Sequence, residues 1–197
     1  PNAPEHLLAK PKVLETGKIL IYSSSPEILL VFNRLENLGY SINVTNDVSM
    51  LLTDTLCSYD FLFIDVPYDS TLNEFAAIIE DYISRGGGLL LCQVNIPGPV
   101  TILPAGFEID IEDTLWPEYP KKPGPATILK DHPITEGLTG DDLSGNFETV
   151  PLSNIGESWD VLAIDEDHPD LVSLLAGRYG NGKIVYFTGN VALNSIQ

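Results

Sequence analysis

The sequence predicts an α/β fold built around a mostly parallel sheet, and three observations predict it. Between residues 18 and 95, short apolar runs alternate with stretches of helical periodicity, the pattern of strands joined by right-handed crossovers. One unit, Thr71 to Asn95 (TLNEFAAIIEDYISRGGGLLLCQVN), reads as an amphipathic helix, a glycine stop, a buried strand and then polar residues. Near the end of the chain, Asn181-Gly182 lies between two apolar runs and signals a β-hairpin.

Residues 1–17 hold Pro1, Pro4 and Pro11 and little periodicity, and read as an N-terminal arm. Lys18 to Ser23 (KILIYS) is the first strand. Ser25 is a candidate N-cap and Pro26 suits a first helical turn. Ile28, Val31, Phe32, Leu35 and Leu38 share one face of the helix that Gly39 stops. Ser41 to Thr45 is the second strand, predicted buried, so the glycosylation sequon at Asn43-Val44-Thr45 reads as chance. Val48 to Leu56 reads as a short helix or irregular connection. Phe61 to Val66 (FLFIDV) is apolar enough for burial on both faces. Ser70 or Thr71 caps the next helix, which runs to Ser84, and Leu89 to Cys92 is the fourth strand. Gly86, Gly87 and Gly88 follow a helix and precede a strand. A phosphate-binding loop has the reverse order, so they read as a left-handed stop with a tight turn.

Beyond residue 95 the pattern loosens. Residues 96–130 form a Pro-rich, acidic, irregular excursion, with a further strand expected over Phe107 to Ile111 and order resuming at Ala126 to Leu129. Trp116 and Tyr119 are expected to pack over the core. Trp159 to Ile164, Leu171 to Ala176 and Lys183 to Thr188 are strands, the last two joined by GRYGNG. Residues 18–197 are thus expected to form one domain.

The net charge is −18, and residues 107–170 hold 16 of the 28 acids but three of the ten bases. Such a surface repels phosphate backbones and argues against nucleic-acid binding; a solvated acidic face is expected, with capture of a basic partner as the sharper reading. No run of 18 uncharged apolar residues is present, so no membrane span is expected. Cys57 and Cys92 make no disulfide scaffold, and both sit in apolar contexts typical of buried thiols. With no Cys-x-x-Cys and with His6, His132 and His168 scattered, no metal or other cofactor is expected. A cytoplasmic location is favoured, although a chain starting at Pro1 is also compatible with a removed leader.

The succession YDFLFID, YISRGGGLLLC, DHPITEGL and RYGNGKIVYFTGN resembles the class I glutamine amidotransferase-like superfamily. The nearest flavour is its non-canonical branch, which includes ThuA-like proteins and amidotransferase-like domains of larger chains. The resemblance covers about residues 18–190 and implies a flavodoxin-like three-layer sandwich with a late β-hairpin. Enzymes of the superfamily carry a Cys in a glycine-flanked strand-to-helix elbow, and a His with a nearby acid after the last core strands. Here the matching strand is LLLCQVN. Cys92 lacks the glycines, Gln93 stands about where ThuA-like proteins often have a His, and Asn190 stands where a catalytic His is sought.

The weak catalytic candidates are therefore Cys92, Gln93 and His132. An attacking Cys92 needs a lowered thiol pKa; otherwise it packs as a small hydrophobe. A glutamine is neither nucleophile nor general base. Asp131-His132 is the most tempting acid–histidine pair, but adjacent side chains diverge and a structural turn is favoured. Asp165, Glu166, Asp167 and Asp170, with His168, read as a solvated loop in preference to a calcium site. Ligands of open parallel sheets bind beyond the carboxyl ends of the strands, where Ser24, Asp65, Tyr68, Gln93, Asn95 and Asn190 are the binding candidates. The reading is a non-catalytic domain that binds a small polar ligand or a protein partner, with a homodimer as a further candidate assembly. The alternative is a hydrolase or sugar-modifying enzyme of ThuA-like type.

Overall fold

The computed structural model describes residues 17–23, 35–65, 70–92, 98–112, 125–143 and 151–188. Eleven strands are described: β1 Lys18–Tyr22, β2 Ser41–Thr45, β3 Phe61–Ile64, β4 Gly88–Cys92, β5 Gly98–Pro99, β6 Asp110–Ile111, β7 Ala126–Ile128, β8 Leu152–Ser153, β9 Asp160–Asp165, β10 Val172–Tyr179 and β11 Gly182–Phe187. Eight of them form one sheet in the order β2-β1-β3-β4-β11-β10-β9-β7, and β5-β6-β8 form a small second sheet. The expected parallel core is present, because β1 runs parallel to β2 and β3, β3 to β4, and β4 to β11. The late hairpin is also present. Its strand β11 inserts between β4 and β10, and β10, β9 and β7 continue antiparallel to the far edge.

Alternation along the strands splits the apolar residues between two cores. Leu20, Leu62, Ile64, Leu89, Leu91, Ile184 and Tyr186 face one side. There they meet Leu51, Leu56, Ile79, Tyr82 and Ile83 from the connecting segments, and Phe107, Ile109 and Ile111 from around the small sheet. Ile21, Phe63, Cys92, Leu174, Ala176 and Phe187 face the other side, against Leu35, Leu143 and Ile134. Parallel strands need cover on both faces, which is why FLFI and GLLLC are apolar almost throughout.

The helix Ala76–Ser84 shows how the sequence sets its own limits. Its end is a Schellman motif: Gly87 N donates to Tyr82 O at 3.1 Å and Gly86 N to Ile83 O at 2.9 Å, with Gly86 at φ +121°. The other two glycines are small for different reasons. A side chain at Gly87 would enter the Tyr82 ring, and one at Gly88 would lie 2.5 Å from the Phe61 ring. At the start the expectation fails. Residues Ser70–Phe75 form a 3-10 helix, and the N-cap position of the α-helix is Phe75, which has no side-chain capping bond.

Other expectations are sharpened or corrected in detail. Val48 to Leu56 resolves into a 3-10 helix Val48–Leu51, capped by Asp47, and an α-helical turn Thr53–Leu56. Over Phe107 to Ile111 the alternation is present, with Phe107, Ile109 and Ile111 buried, but ladder pairing is confined to Asp110–Ile111. β2 lies at the sheet edge and Asn43 is exposed, donating to the Tyr59 hydroxyl at 2.8 Å, so the strand is not buried as expected. The hairpin turn sits one residue earlier than Asn181-Gly182: Tyr179 pairs with Gly182, and Gly180, at φ +58°, opens the two-residue loop. Gly182 belongs to the strand instead. A Cβ there would overlap the carbonyl oxygens of Ile83 and Gly87. Of the expected arm only Gly17 is described, and Trp116 and Tyr119 lie outside the described residues.

Gly182→Ala is therefore expected to lower stability by about 1–3 kcal/mol, because backbone carbonyls cannot rotate away. A Cβ at Gly17 would be in ordinary contact with Tyr40 at 3.5 Å, so Gly17→Ala should stay within about 0.5 kcal/mol of the parent. Urea unfolding of the two variants checks the contrast, and equal losses would contradict it.

Candidate functional site

The strand order reverses around β1, which is flanked by β2 on one side and β3 on the other. At such a switch point the connections leave in opposite directions and a crevice opens beyond the strand ends. Ser23 follows β1 and Asp65 follows β3. The Ser23 hydroxyl donates to Asp65 Oδ2 at 2.9 Å across the reversal. Their backbones are pinned too, Ser23 N donating to Thr45 O at 3.0 Å and Asp65 N to Tyr22 O at 3.1 Å. Cys92 ends β4, two strands from β1. Thr188, buried, follows β11, and its hydroxyl donates to Val172 O at 3.0 Å and Ser173 O at 3.2 Å.

The electrostatics of this corner oppose nucleophilic chemistry. Cys92 is buried, and burial pushes its thiol well above the ordinary value, with the negative charge of Asp65 adding to the effect. An attacking thiolate needs a cation, an imidazolium or a helix N-terminus beside it; among the described residues its charged neighbour is the Asp65 carboxylate. Burial also raises the Asp65 carboxyl, and the hydrogen bond from Ser23 offsets that in part. Cys57, expected to be buried, is exposed; it caps the short turn Thr53–Leu56, so its apolar sequence neighbours do not enclose it.

The structure brings Ser23, Asp65 and Cys92 to the carboxyl ends of neighbouring strands, as expected for that edge. Ser24, Tyr68, Gln93, Asn95 and Asn190 lie outside the described residues. His132 does not join the group. It lines a pocket of about 370 Å³ together with Arg178 and Lys183. Lys183 pairs with Gly88 at the start of β4, and Cys92 pairs with Phe187 at its end, so the two sites are about 13 Å apart along the strands. Within DHPIT, Ile134 N donates to His132 Nδ1 at 3.2 Å, and the Thr135 hydroxyl donates to Lys130 O at 3.1 Å and His132 O at 3.0 Å. The histidine thus closes a turn.

The acidic loop is also structural. Asp165 is buried, and its Oδ1 accepts from Asp167 N at 3.0 Å and His168 N at 2.9 Å. Among the described residues no group of three or more His, Cys, Asp or Glu side chains could hold a metal ion, and no helix is long and apolar enough to cross a membrane. Sequence reasoning missed Thr188 as a strand-end group and the pairing of Arg178 with Lys183. The second was within reach, since correct placement of the two-residue turn sets those residues opposite each other.

No known family profile matches the chain, and no curated protein matches it in sequence. Solved structures do match. A ThuA-like protein from Bacteroides uniformis ATCC 8492 is 14% identical, with 91% of this chain covering 87% of that one at a TM-score of 0.58. A cytoplasmic protein from Salmonella typhimurium LT2 is 16% identical, with 88% of each chain covered and a TM-score of 0.58. The cold-adapted β-galactosidase from Rahnella sp. R3 is 15% identical at a TM-score of 0.60, and here 89% of this chain spans 29% of that one. At these identities the likeness is one of fold: an α/β scaffold shared with ThuA-like proteins and with part of a glycosidase chain.

Two outcomes are expected from the strand-end chemistry. A thiol reagent such as Ellman's should label Cys57 at once in the native protein and Cys92 only in denaturant; rapid native labelling of both would contradict the burial. Asp65 has a raised pKa in the folded chain, so its contribution to stability is full below the ordinary carboxyl value of 3.8 and is lost as pH rises through the folded value. Asp65→Asn should therefore melt higher than the parent at neutral pH, and the gap should close in acid. A variant that melts lower at neutral pH would refute this.

Proposed function

We propose that the chain is a non-catalytic domain on an amidotransferase-like, ThuA-type scaffold that binds a small polar ligand beyond the carboxyl ends of its parallel strands. One observation carries the reading: the cysteine of the expected nucleophile strand is buried beside a carboxylate, with its thiol pushed up. This is the opposite of activation. Polar groups remain at the same edge, since Ser23 and Asp65 meet across the switch point, where open sheets of this kind take their ligands.

The same reading extends to a flavodoxin-like three-layer arrangement. The order β2-β1-β3-β4-β11 corresponds to a doubly wound order. Leu35, from the connection after β1, packs on one face, while Leu51, Leu56 and Ile79, from the next two connections, pack on the other. The part-length match to a β-galactosidase supports a module able to serve within a longer chain. The alternative, a hydrolase or sugar-modifying enzyme of ThuA-like type that uses Gln93, Asn95, Asp65 and His132 around one polar pocket, is disfavoured because the His132 imidazole lies at the other end of the sheet and its Nδ1 is engaged by Ile134.

Incubation with glutamine, glutamate esters and generic amides and esters should give no turnover above background. Neutral polyhydroxylated ligands should raise the melting temperature of the parent, and that rise should be lost in Asp65→Ala. Turnover abolished by Cys92→Ala, or a ligand response indifferent to Asp65→Ala, would sink the proposal.

A further inference from the structure

We propose that the pocket at the amino-terminal edge of the sheet binds a small phosphate-bearing molecule through Arg178, Lys183 and His132. This site lies at the opposite end of the strands from the crevice discussed above, and it stands independently of the function proposed there.

The distribution of charge carries the inference. The chain has ten lysines and arginines against 28 acids. Yet Arg178 and Lys183 stand directly opposite each other across the β10–β11 hairpin, exposed, and both line the pocket of about 370 Å³. Among the described residues neither has an ion pair. Like charges directly opposite in an antiparallel pair are destabilising, and a chain so rich in carboxylates had ample means to neutralise them. Lys130, by contrast, pairs with Asp160. The carboxylate on the pocket wall is thus already engaged by a third cation.

The remaining donors extend the pair. His132 Nδ1 accepts the Ile134 N–H, so a neutral ring carries its proton on Nε2 as a donor. Ser158 also lines the pocket. A guanidinium fork, an ammonium and an imidazole N–H, set against one carboxylate that is already paired, form a donor set suited to a phosphate group. Arginine addresses two oxygens at once, and lysine acts as a point charge. Ile134 supplies apolar wall, and the volume is in the range of small-molecule pockets. The space therefore suits a phosphate carried on a small organic skeleton. Asp160 is placed to accept from a hydroxyl of that skeleton.

The test is calorimetric titration of the full chain in low-salt, phosphate-free buffer with inorganic phosphate and glucose 6-phosphate, with acetate as comparison. Saturable binding of both phosphates is expected, tighter for the sugar phosphate, weaker for acetate and weakened by added sodium chloride. The double variant Arg178→Gln, Lys183→Gln should lose roughly tenfold or more in affinity. It should melt at or above the parent temperature, because it removes a repulsion. Lack of saturation in the low-millimolar range, unchanged affinity in the double variant, or acetate binding as tight as phosphate would each overturn the proposal. So would a lower melting temperature of the double variant, since the pair would then be serving the fold.

Discussion

Parallel pairing of β1, β3, β4 and β11 is the constraint on which the rest of the structure depends. A parallel sheet has to be covered on both faces, so each of these strands is apolar on both sides and the chain must supply two separate cores. Leu89 and Leu91 serve one core and Cys92 the other. Side chains in the middle of these strands are committed to the two cores. Polar groups gather toward the strand ends, where Ser23, Asp65 and Thr188 are found.

The same constraint accounts for the state of Cys92. It is the last residue of its strand, still within the ladder through its pairing with Phe187. It therefore shares the burial of the strand and does not project from a kink. Its desolvated thiol sits near a carboxylate whose own ionisation is opposed by burial. Two groups that both resist negative charge make a corner suited to hydrogen bonding with neutral ligands and unsuited to generating a nucleophile.

Charge is divided between the two ends of the sheet. The crevice at the carboxyl ends holds Asp65 and no described cation, whereas the amino edge gathers Lys130, Arg178 and Lys183 around His132 in a strongly acidic chain. Glycines make the approach at this edge possible. Gly182 lets β11 pass against the Ile83 and Gly87 carbonyls, and Gly177 makes room for the Phe107 ring. The hairpin that carries the two cations is seated by residues with no side chain.

Most of the parallel core was legible in the sequence by itself. SINVT became β2 at the expected bounds, FLFI and GLLLC became central strands, and the glycines after Ser84 made the expected helix stop. These features are local: an apolar run, a periodicity or a positive φ is written in neighbouring residues. The edge position of β2, the exposure of Cys57, the insertion of β11 between β4 and β10, and the separation of His132 from Cys92 were decided by the tertiary structure. Each depends on which strand lies beside which, and that is set by burial summed over residues far apart in the chain. Asn181-Gly182 shows the limit most plainly. Both Gly180 and Gly182 could serve a tight turn by their own nature, and a helix end almost a hundred residues earlier leaves no room for a side chain at either; the register of the β10–β11 ladder, which pairs Tyr179 with Gly182, decides between them.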